Sequence, residues 1–190
     1  MKRAAMLYCA DCLAPRYKVL NQREQLPFAS GYDGFDGKWA DFTLDDAFRL
    51  RLMLDLVGGE SSDETQLNGL GPTYSSSIVA NAMSLFPYHP LNQTAQNDLW
   101  AGLVVFQEED SEGVLTRFSD WYIGDLGALG TWVATKQTRS YEEIDGANIT
   151  EQLSVVRIFL ANATRAAKFT RMRAHELGLQ EGLDSWEARF

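Results

Sequence analysis

Between Thr43 and Gly59 the chain carries a pattern that leaves little choice of local structure. Leu44, Phe48, Leu52 and Leu56 recur at four-residue steps, flanked by Ala47, Leu50, Leu54 and Val57. That spacing puts apolar side chains round much of a helix's circumference, so the helix needs neighbours on several sides. Thr43 and Asp46 approximate a capping box at its start, and Gly58-Gly59 supplies a residue that leaves a helix easily. A chain of 190 residues, 45% hydrophobic and 12% aromatic, has enough material to enclose it. We expect it to be the central core helix of a first folding unit.

Upstream, Ala14 to Gln25 reads as a short helix with Pro15 in its first turn, stopped before Leu26-Pro27. Tyr17 and Leu20 can face inward, which leaves Arg16, Lys18, Asn21, Gln22 and Arg23 outside. From Ala29 to Trp39, Gly31, Gly34 and Gly37 alternate with aromatics and aspartates, a hairpin or wing with apolar anchors. Downstream, a polar stretch from Glu60 to Gln66 leads to Gly69-Leu70-Gly71-Pro72. Thr73 to Leu85 then form a helix cut off by Pro87 and Pro90.

The second half reads as a smaller module. Leu99 to Phe106 and Leu115 to Ile123 form an antiparallel hairpin across the acidic turn Gln107 to Gly113. Gly124 to Ala134 is a short helix and Val155 to Leu160 a third strand. Asn162 caps a last helix that ends at Leu177-Gly178 and carries Arg165, Lys168, Arg171 and Arg173. The expected fold class is α+β: a helical unit over residues 1–88, then a β-β-α-β-α module over residues 89–190 that supplies dimerisation or partner binding.

The formal net charge of −9 argues against indiscriminate nucleic-acid binding, which rests on neutralising phosphates. Its distribution is uneven. Residues 1–30 carry +3 through Lys2, Arg3, Arg16, Lys18 and Arg23, residues 31–150 carry −13, and residues 151–190 carry +1. A basic start can read DNA while an acidic middle meets a protein.

The order of a short helix carrying Pro15-Arg16, a stop at Leu26-Pro27, a Gly-rich aromatic wing and Phe42-Thr43-Leu44-Asp45-Asp46-Ala47 leading into an apolar helix resembles the MerR-like winged helix-turn-helix family. The parallel covers roughly residues 6 to 60, with the helix before the recognition helix falling in Ala5 to Leu13. The resemblance implies a recognition helix in the major groove of double-stranded DNA, contacted by Arg16, Tyr17, Lys18, Asn21, Gln22 and Arg23. Arginine suits guanine edges and phosphates, and Asn and Gln suit adenine. Lys38 in the wing would reach the flanking phosphate backbone. The implied function is a sequence-specific transcriptional regulator, homodimeric because one short helix reads too few bases alone. The alternative is an adaptor that keeps a helix-turn-helix-like fold and offers its acidic centre to a protein partner.

Enzymatic motifs do not emerge. No Gly-rich phosphate loop follows a strand, and Gly-x-Ser-x-Gly, His-Glu-x-x-His and EF-hand spacings are missing. Cys9 and Cys12 have redox or half-zinc spacing, but His89 and His175 come from separate segments, so packing thiols are the expectation and no cofactor or metal is assigned. Glu108 to Glu112 lacks ligand periodicity and reads as a solvated hairpin tip. No run approaches the roughly 20 apolar residues of a membrane span. Asp11 and Arg16 cut short any signal-like start, so a cytoplasmic, non-catalytic protein is expected.

Overall fold

The computed structural model describes residues 1–28, 42–58, 69–92, 97–109, 112–142 and 148–179. The described residues form six helices and five strands in a mixed α+β arrangement. The helices are α1 (Arg3–Ala10), α2 (Ala14–Gln22), α3 (Leu44–Val57), α4 (Pro72–Leu85), α5 (Leu126–Gln137) and α6 (Ala163–Glu176). The strands are β1 (Leu99–Glu109), β2 (Leu115–Asp125), β3 (Thr138–Glu142), β4 (Asn148–Gln152) and β5 (Ser154–Asn162).

Helix α3 begins where its sequence requires. The Thr43 hydroxyl accepts from the Asp46 backbone N–H (3.1 Å) while the Asp46 carboxylate accepts from the Thr43 N–H (2.7 Å), a reciprocal capping box. Gly58 ends the helix at φ 78°. Phe48, Leu50, Leu52 and Met53 are fully enclosed. Each such side chain contributes about 1.5–3 kcal/mol of burial. Their directions explain the enclosure, since α3 touches α1, α4, α6 and β5.

Strand β1 is the centre of a three-stranded antiparallel sheet in the order β2-β1-β5. Alternation sorts its residues between two faces. Leu99, Ala101 and Leu103 join Ile123, Phe159 and Ala161 against the helices, whereas Val104 and Phe106 join Tyr122 and Leu160 under Leu129, Trp132 and Val133 of α5. The result is three layers, with α3, α4 and α6 on one face and α5 on the other. Gly102 of β1 lies tight against β5: a Cβ there would sit 1.8 Å from the Phe159 carbonyl oxygen. One buried cluster runs from Met6 and Leu20 through α3 and α4 to Leu103, Ala167 and Ala174, so residues from both sides of position 88 share it.

The expected β-β-α-β-α order is corrected to β-β-α-β-β-β-α. A second antiparallel pair, β3 with β4, intervenes between α5 and β5. Thr138 to Glu142 and Asn148 to Gln152 are mostly polar, without the apolar alternation that marks a half-buried strand. The proposed wing, Ala29 to Trp39 with Lys38, lies outside the described residues. Among the described residues no helix is long and apolar enough to cross a membrane.

Candidate nucleic-acid interface

Helices α1 and α2 are joined by three residues, a helix-turn-helix connection in the simplest sense. Helix α1 occupies Arg3–Ala10 rather than Ala5 to Leu13. It stops because Asp11 turns left-handed (φ 54°), its N–H reaching the Tyr8 carbonyl (3.1 Å) while Cys12 N–H reaches that of Leu7 (2.9 Å). An aspartate tolerates this conformation better than most side chains. Its carboxylate also holds Arg51 of α3 (3.3 Å) and Arg173 of α6 (3.5 Å), so the turn is tied to two other helices.

Helix α2 runs from Ala14 with Pro15 in its first turn, where the missing N–H costs nothing. It buries Tyr17 and Leu20, and the Tyr17 ring meets Phe42 edge-on at 6.4 Å. Tyr17 is therefore corrected from a contact candidate to a core anchor. Its hydroxyl pKa is raised, chiefly by burial, with Arg3 opposing and Asp46 reinforcing the shift. The exit of α2 is held too: Glu24 is left-handed (φ 54°), Gln25 Nε2 donates to Thr73 Oγ1 (2.9 Å), and Ser76 Oγ donates to the Leu26 carbonyl (2.9 Å). Helix α2 is thus fastened at both ends.

On its outer side Lys18, Gln22 and Arg23 are exposed, and Arg16 and Asn21 half-exposed. Lys2 and Arg3 at the start of α1 are exposed as well. They are missing from the candidate set drawn by helix pattern, although the local charge of residues 1–30 includes them.

The remaining cations behave differently. Arg49 pairs with Asp45 and Arg51 with Asp55 (2.7 Å), both at i,i+4 spacing along α3. Arg51 and Arg173 both lie over the Phe169 ring, at 4.6 and 5.2 Å, and Arg173 also covers Tyr8 at 4.5 Å. Arg171 donates to the Leu91 carbonyl (3.2 Å), and burial lowers its pKa. Of the four cations considered on α6, Arg165 and Lys168 are exposed, and Lys168 has only a loose 4.0 Å approach to Asp98. Arg171 and Arg173 are internal fasteners. Among the described residues, no acidic side chain forms a salt bridge with Arg16, Lys18 or Arg23.

Cys9 and Cys12 are both buried thiols, and burial raises the Cys9 pKa. Among the described residues no three His, Cys, Asp or Glu side chains gather in a way that could hold a metal ion. His89 lies beside Asp45 at the start of α3, deep under Phe48. No family model matches the chain, and neither a curated protein nor a solved structure does.

Proposed function

We propose that the chain binds double-stranded DNA through α2, as the recognition helix of a MerR-like winged helix-turn-helix, and acts as a sequence-specific regulator. The observation that carries this reading is the division among its cations. Those of α3 are paired with carboxylates of the same helix, while Arg16, Lys18 and Arg23 stand at an anchored helix without a described acidic partner. An α-helix with its side chains is about 10–12 Å across, which a major groove roughly 12 Å wide admits. Asn21 and Gln22 offer the amide groups suited to adenine, and Lys2 and Arg3 add phosphate-binding charge at the same end of the chain. The overall charge of −9 repels the duplex, so binding has to rest on the local cations of the N-terminal segment.

The test is selection from a pool of random duplexes at about 100 mM salt, where longer-range attraction is largely screened. The wild-type chain is compared with an Arg16→Ala, Lys18→Ala, Arg23→Ala variant and with an Arg165→Ala, Lys168→Ala variant. The wild type and the α6 variant enrich one motif and the α2 variant does not. Each lost phosphate contact also lowers the salt slope of binding by about one. Failure of the wild type to enrich any motif removes this reading in favour of an adaptor with an acidic protein-binding surface.

A further inference from the structure

We infer that Val19 is a specificity-determining residue that reads the 5-methyl group of a thymine in the major groove. The inference rests on DNA binding through α2 and adds which base feature that helix selects.

Val19 lies on the outward side of α2 and is 44% exposed, whereas the inward Tyr17 and Leu20 are enclosed at 7% and 4%. Side chains three and four positions apart are neighbours on a helix surface. Those round Val19 are therefore Pro15, Arg16 and Gln22, with Arg23 at the helix end. An apolar side chain thus stands among one amide and two guanidinium groups, on the side of the helix that carries the exposed Lys18, Gln22 and Arg23.

Neither packing nor local stability accounts for a valine there. Val19 belongs to neither buried cluster of the described residues, nor to the apolar side chains packed against them. A β-branched residue also forms helix less readily than the straight-chain residues suited to exposed helical positions. The same branching holds χ1 close to one rotamer, so its two methyl groups present a fixed shape.

The chemistry of the groove supplies the complement. Base edges offer nitrogen and oxygen donors and acceptors there, and the thymine C5-methyl is the apolar group among them. Arg16 and Arg23 suit guanine edges or phosphates and Gln22 suits adenine, but Val19 can form no hydrogen bond with any edge. Set against a cytosine amino group or a purine N7, it would displace water and return nothing, which disfavours those bases as well as favouring thymine. Val19 and Gln22 are one turn apart, with Cβ atoms about 5–6 Å from each other, against a base step of about 3.4 Å. The thymine is therefore expected within two base pairs of the adenine that Gln22 reads.

The test uses the full chain and the motif it enriches from random duplexes. Each thymine of that motif is replaced singly by deoxyuridine, which lacks only the 5-methyl group, and affinities are measured for the wild type and for Val19→Ala. At one position the wild type binds the deoxyuridine duplex about fourfold more weakly, the size expected for one methyl withdrawn from apolar contact. Val19→Ala binds the thymine duplex more weakly than the wild type does and does not distinguish the two duplexes at that position. Alanine is the better helix former, and unchanged circular dichroism of the variant verifies that α2 persists. A motif without thymine, deoxyuridine tolerated at every position, or a deoxyuridine effect that Val19→Ala retains overturns the inference and leaves DNA binding through α2 standing. Enrichment of no motif by the wild type, or of the same motif by the Arg16→Ala, Lys18→Ala, Arg23→Ala variant, overturns binding through α2 and this inference with it.

Discussion

The Nε2 of His89 lies 3.0 Å from the buried Oδ1 of Asp45, joining the segment after α4 to the first turn of α3. The other ring nitrogen, Nδ1, accepts from the Leu91 backbone N–H at 3.2 Å, which assigns the proton to Nε2 as donor to Asp45. The second carboxylate oxygen takes the Arg49 guanidinium. Leu91 in turn gives its carbonyl to Arg171. A run of polar contacts thus crosses from α3 to α6 through one imidazole.

Removing that imidazole leaves a buried carboxylate oxygen and a backbone N–H without their partner. His89→Ala should cost about 2–3 kcal/mol, since unsatisfied buried groups incur a full desolvation penalty. Urea unfolding would record it as a lower midpoint with unchanged slope. A midpoint within error of the wild type would mean that His89 contributes no more than a surface residue.

Gly102→Ala probes the approach of β5 to β1. Its Cβ would fall 1.8 Å from the Phe159 carbonyl oxygen and 2.9 Å from a Leu160 methyl, and backbone on that side cannot yield as a flexible side chain can. The expected loss is roughly 3 kcal/mol, at the upper end for overpacking. Hydrogen exchange should show β5 amides losing protection before those of α3.

Asp55 supplies a pH signature. Its pKa is raised, first by burial, although Arg51 at 2.7 Å opposes the shift. A raised folded-state value means the folded chain holds that proton more tightly than the unfolded one. The resulting stability is present below the ordinary value of 3.8 and is lost as pH rises through the folded value. The melting temperature of the wild type relative to Asp55→Asn should therefore increase as pH falls from 7 into the carboxylate range. A decrease would show that the pairing with Arg51 outweighs burial.

Much of this architecture was legible in the chain because local rules and tertiary demands agree. Thr43, Asp46 and Gly58 mark both ends of α3, and its apolar circumference forecasts neighbours on several sides. Asn162 caps α6 as its position suggests, with its side chain accepting from Arg165 N–H (2.8 Å). What escaped were features without a local signature. The polar β3–β4 pair lacks alternation, and the roles of Arg171 and Arg173 depend on Leu91, Asp11, Tyr8 and Phe169, partners that composition along α6 cannot identify. Within α2 the pattern separated inward Tyr17 and Leu20 from the polar side, yet the family resemblance drew Tyr17 into the contact set, from which its burial removes it.

Buried thiols offer a simple check on the N-terminal helices. Cys9 is fully enclosed and Cys12 nearly so. Both should react with a thiol reagent only on unfolding, because alkylation needs exposed thiolate. Rapid labelling of either in the native chain would mean that α1 detaches from α3 far more readily than their packing implies.

Asp11 makes the placement of α2 a shared variable rather than a local one. The same carboxylate that sits in the turn before α2 grips Arg51 of α3 and Arg173 of α6. Residues some 160 positions apart in the chain thus meet at the turn that precedes α2. The turn between the two helices is joined to α6 by the Asp11 carboxylate as well as by the stacking of Arg173 on Tyr8.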